Sequence, residues 1–189
     1  ASPTPATSSS PSSSPSRPAP QSLCPSPSVT RPASASASGL LRRLQTQRLS
    51  HPALPSHLHV TRVGVWHYVD AGHAGAGYLG SAQVVIRSDV RGESIVSVYD
   101  VFGRAAQAFD VFENARCTFH SNSPGGFRTV HLHPAAPAFC GRQSSNTMTC
   151  WVHYGLTNEI ATATIPSPKD QGDRSAVLQA LLTHLVAAT

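Results

Sequence analysis

The chain has 189 residues, 14 basic and nine acidic, and its formal charge of +5 is carried by five arginines within the first 56 residues. From His57 onward nine bases meet nine acids, and all 12 aromatic side chains lie between Trp66 and Tyr154. That partition argues against a basic folded surface built to grip specific nucleic acid, and no apolar run approaches the roughly 18 residues that a membrane span needs.

Residues 1–38 hold 14 Ser, nine Pro, six Ala and three Thr. A stretch with so little to bury is expected to be disordered and, given its Ser, Thr and Pro, open to O-linked sugar. The expected division is therefore a Ser/Pro-rich basic leader over 1–56 and one globular domain over 57–189, a size that can enclose a single core. Near the junction, Leu40, Leu41 and Leu44 share a helical face among Arg42, Arg43 and Arg48. So short a helix is marginal alone. The pair Arg42 and Arg43 is also a candidate dibasic processing site, which would make the leader a propeptide. An Ala start followed by small residues points to a mature secreted protein.

Within the domain, Val63, Val65, His67 and Val69 alternate with Arg62, Gly64, Trp66 and Tyr68, the period of a strand. Gly72, Gly75 and Gly77 interrupt it; without a following Lys-Ser/Thr they form a loop rather than a phosphate cradle. Residues 78–87 and 94–102 read as strands joined through a turn at 89–93. Residues 107–113 read as another strand, although 104–112 would also suit a helix, and 115–120 as a short strand carrying Cys117. A turn at 122–126 leads into a strand over 127–133, and 147–155 and 156–165 form a further pair. Only after 172 does the period become helical, with Val177, Leu178, Leu181, Leu182 and Leu185 in one stripe and Asp173 or Ser175 as the cap. The predicted fold class is α+β: two layers, an antiparallel sheet of about six to eight strands with one C-terminal helix across a face. A small closed barrel is the alternative.

Cys24, Cys117, Cys140 and Cys150 lack any CxxC spacing, which favours disulfides over zinc or redox chemistry. Three pairings are open, among them a hairpin closed by Cys140 and Cys150 or a leader tethered through Cys24. Two His-x-His triplets, His57-Leu58-His59 and His131-Leu132-His133, would each place both rings on one side of a strand, as in some metal sites. His153 or His120 offers a third ligand. No glutamate follows His133, however, so the simpler reading is polar faces of half-buried strands, with no metal and no cofactor. Acid/base cleavage of RNA would also need paired imidazoles with a glutamate and an arginine, and His131, His133, His153, Glu113, Glu159 and Arg128 are the available parts. No Gly-x-Ser-x-Gly elbow occurs.

A Ser/Pro-rich leader, a dibasic junction at Arg42 and Arg43, a cysteine-poor β-rich domain and no catalytic motif together resemble the small secreted effectors of biotrophic plant-pathogenic fungi, smut fungi in particular. The resemblance implies action by binding a host protein, outside the cell or after uptake, and it implies disulfide roles for Cys117, Cys140 and Cys150. The function expected is thus that of a secreted, monomeric virulence effector. A histidine-dependent hydrolase or ribonuclease-like enzyme is the second reading, and an O-glycosylated cell-wall protein the third.

Overall fold

The computed structural model describes residues 24, 39, 42, 54–66, 77–90, 92–155, 157–166 and 171–187. The expected disorder of 1–38 lies outside the described residues except at Cys24; in the basic turn beyond it, Gly39 and Arg42 are helical and exposed, while Arg43 is outside. Seven strands form one antiparallel sheet: β1 (Leu58–Trp66), β2 (Tyr78–Ser88), β3 (Ser94–Phe102), β4 (Arg128–His133), β5 (Ala136–Arg142), β6 (Thr147–His153) and β7 (Glu159–Pro166). Two long helices accompany them, α1 (Ala105–Asn122) and α2 (Gln171–Ala187). The strand order is β1-β2-β3-β7-β6-β5-β4. A first meander ends at β3, α1 carries the chain to the far edge, and a second meander returns so that β7 pairs with β3. The sheet is open, with β1 and β4 at its edges, so the closed-barrel alternative is overturned.

The class is α+β as expected, but the helices take opposite faces and make three layers rather than two. Strand alternation shows it: Phe139 and Ile160 join Ala108, Val111 and Phe112 in one core, while their chain neighbours Ala138, Cys140 and Ala161 join Val177, Leu178, Leu181 and Leu185 in the other. The leucine stripe of α2 lies on small sheet residues such as Ala82, Ala161 and Ala163, all fully buried. Complete burial of each leucine contributes roughly 1.5–3 kcal/mol relative to exposure. Neither expected cap stands outside the helix: α2 starts at Gln171, so Asp173 sits in its first turn and instead meets His57 Nε2 at 2.7 Å.

Two local expectations are corrected, and one strand, β5, was not anticipated. Residues 107–113 and 115–120 are not strands but belong to α1, because Ala108, Val111, Phe112, Ala115 and Phe119 recur at helical spacing and all face the aromatic core. Over seven residues an alternating reading of the same segment is equally good, and only the longer window separates the periods. Strand β5 carries Pro137, which discourages a strand reading in sequence. In the sheet, Pro137 lies opposite His131, and the β4–β5 register slips between His131 and His133. A residue with no N–H cannot complete the ladder, so a slip there is what its chemistry favours.

The α1 core is aromatic. Phe139 and Trp151 are register partners with rings stacked 5.9 Å apart, and Phe112 approaches Phe139 edge-on at 5.3 Å. Phe119 sits over Gly141 so tightly that a Cβ there would overlap its ring. Gly141→Ala is therefore expected to lower stability by about 1–3 kcal/mol, read as a lower urea midpoint. A second substitution, Phe119→Leu, should relieve most of the added cost of the alanine.

Candidate functional site: the groove between α1 and the β4 edge

Both cysteine pairs form disulfides: Cys24 with Cys117, tying the leader to α1, and Cys140 with Cys150, a cross-strand pair of β5 and β6. No helix among the described residues is long and apolar enough to cross a membrane.

A concavity of about 700 Å³ lies between α1 and the β4 edge. Three α1 residues at i, i+4 and i+7, Phe109, Glu113 and Arg116, lean over it, with Thr129 and His131 of β4 facing them. Phe109 is 43% exposed, although the other phenylalanines of the α1 face pack into the core. Arg116 donates from Nε (3.0 Å) and Nη2 (2.6 Å) to a single oxygen of Glu113, which leaves Nη1 for a further partner. Beside this groove His153 is fully buried against Phe109 and Phe112, at ring separations of 5.6 and 5.9 Å. Neither of its ring nitrogens makes a well-formed hydrogen bond. Burial lowers its pKa to about 4, opposed in part by the Thr157 backbone and the charge of Glu113.

His131 and His133 both line this groove, as the alternation of the strand leads one to expect, with Leu132 between them packed toward the α2 core. The register slips between them, His131 pairing with Pro137 and His133 with Ala136. The ring of His133 also lies 6.2 Å from that of Tyr154, and its Nδ1 accepts from the Ala135 N–H. Arg128, opposite Cys140, is on the α2 side of β4 and does not line the groove. Glu159 is farther away still, fully buried beneath α2, where one carboxylate oxygen lies 3.1 Å from His184 Nε2 and the other has no hydrogen-bond partner. Of the parts needed for paired acid/base catalysis, the groove thus collects Glu113, His131 and His133, holds His153 behind a phenylalanine as a neutral ring, and places Glu159 and Arg128 elsewhere.

The other triplet, by contrast, is taken up by carboxylates. His57 meets Asp173, and His59 Nδ1 lies 3.4 Å from Asp89. His120 is edge-on to Phe127 at 5.1 Å. Among the described residues no three His, Cys, Asp or Glu side chains are grouped to hold a metal ion. Sequence reasoning missed Phe109 and Arg116; their signal was the i, i+4, i+7 spacing with Glu113, hidden while the segment was read as strands. No protein-family model matches the chain, and no curated protein matches it in sequence.

Proposed function

We propose that the chain is a secreted effector that binds a host protein through the groove between α1 and β4. The observation that carries this reading is a half-exposed Phe109 set above a sheet edge that pairs with no other described strand. An aromatic ring exposed beside an unpaired edge offers both an apolar anchor and backbone hydrogen bonds to an extended partner segment. Two disulfides suit a protein that works in an oxidising compartment. The tether through Cys24 would keep a leader cut at Arg43 attached to the domain. Separation of Arg128 and Glu159 from His131 and His133 weighs against the ribonuclease-like alternative.

The test uses the disulfide-bonded full chain. Phe109→Asp, at an exposed helix position, is expected to leave near-ultraviolet dichroism intact and to weaken host-partner binding by at least about tenfold. Single-stranded RNA incubated with the wild-type chain is expected to stay intact. Partner binding indifferent to Phe109→Asp sinks the groove reading, and RNA cleavage that disappears in His131→Ala replaces it with the enzyme.

A further inference from the structure

The occupant of the groove is open to a chemical argument, which rests on the binding role assigned to it above. Among the described residues strand β4 pairs only with β5, so its outer row of N–H and C=O groups faces no described strand along a short length. A strand laid beside it would direct alternate side chains toward Phe109, Arg116 and His131.

Charge selects among such strands. The described residues of β4 include Arg128, His131 and His133 and no acid. Facing His131 from α1 are Glu113 and Arg116; His133 lines the same groove, β5 contributes uncharged Pro137, and β6 the buried, neutral His153. Glu113, the one acid lining the groove, is already engaged by Arg116 through one oxygen, and Arg116 keeps donors free. A second copy of the chain fits this edge poorly. Antiparallel self-pairing of β4 brings Arg128 of one copy toward His133 of the other, and the register slip and Pro134 end the ladder after a few residues.

We propose that the α1–β4 groove binds an extended peptide segment of another protein that carries a carboxylate, held by Arg116 and His131 while its backbone pairs with β4.

The probe is a display library of random strand-length peptides selected at about pH 5.5 against the disulfide-bonded full chain, with binders mapped by amide chemical shifts. Expected are peptides enriched in Asp or Glu that shift β4 resonances. Changing the acid to its amide is expected to weaken each about tenfold, as is Arg116→Gln, while Glu113→Gln strengthens binding by freeing the guanidinium. Binders that shift β4 without acid enrichment, or that ignore both α1 substitutions, overturn the acidic recognition and leave the groove as a docking site. Failure to select any peptide, or binders that shift only β1 or α2, overturns both. Dimerisation that broadens β4 resonances assigns the edge to a second copy and also refutes the proposal.

Discussion

His184→Ala is expected to destabilise the fold by about 3–5 kcal/mol, the cost of leaving a buried carboxylate without its partner. Glu159 is 0% exposed and His184 14%, so solvent screens the pair little, and the only hydrogen bond of the carboxylate runs to His184 Nε2 at 3.1 Å. Tyr99 lies against the same ring, its centroid 4.4 Å away. Its phenol is held well above the ordinary tyrosine range by burial first and by the charge of Glu159 second. The measurement is the urea midpoint with the slope held constant. Replacing both partners by apolar residues of similar size, Glu159→Met with His184→Leu, should recover most of the loss, because the hydrogen-bonded pair itself contributes far less than the unpaired charge costs. A loss below about 1 kcal/mol in His184→Ala would show that water or another group reaches Glu159.

The second large effect depends on pH. In the folded chain His153 has a pKa of about 4, against 6.5 for an exposed imidazole. The unfolded chain therefore takes up the proton first as the solution is acidified. Above about pH 7 neither state is protonated at this ring and stability is unaffected by it. Between 6.5 and about 4 the unfolded state binds more protons, and stability falls by about 1.4 kcal/mol for each pH unit, to a total of about 3 kcal/mol. Below about 4 this contribution stops changing. His153→Leu keeps an apolar side chain of similar size against Phe109 and Phe112 and removes the titration. Urea unfolding of the two proteins across this range should give diverging curves, the leucine variant becoming relatively more stable below about pH 6. Parallel curves would mean that the folded protein protonates His153 in place.

Much of the domain was legible before its structure was known. Period-two alternation located β1, β2, β3, β4, β6 and β7, and the leucine stripe located α2 and its buried face. These are local patterns, a few residues deep, and each follows from how a strand or helix must present its apolar side. What failed also failed for a local reason. Residues 107–120 alternate over a short window and recur at helical spacing over a longer one, and Pro137 masked a strand that the sheet accommodates with a slip in register. Cysteine spacing left three pairings open, as chain separation alone must. Packing α1 across the sheet brought Cys117 to Cys24 and left Cys140 opposite Cys150.

For the site the balance is different. His131, His153 and Glu113 were singled out as chemistry-bearing residues, yet the arrangement that gives them meaning was not in the residues themselves. A slip in register at Pro137 falls between His131 and His133, which both line the groove. The helical course of α1 brought Phe109 and Arg116 over the β4 edge, and the packing of α2 carried Glu159 out of reach beneath His184. By itself the sequence determined where the charge lies, that a neutral β-rich domain follows a basic leader, and which segments alternate or turn. Tertiary structure alone decided which face each histidine occupies and which carboxylate it meets. Periodicity is encoded within a segment, whereas the face a side chain ends on depends on register with a strand that is remote in the chain.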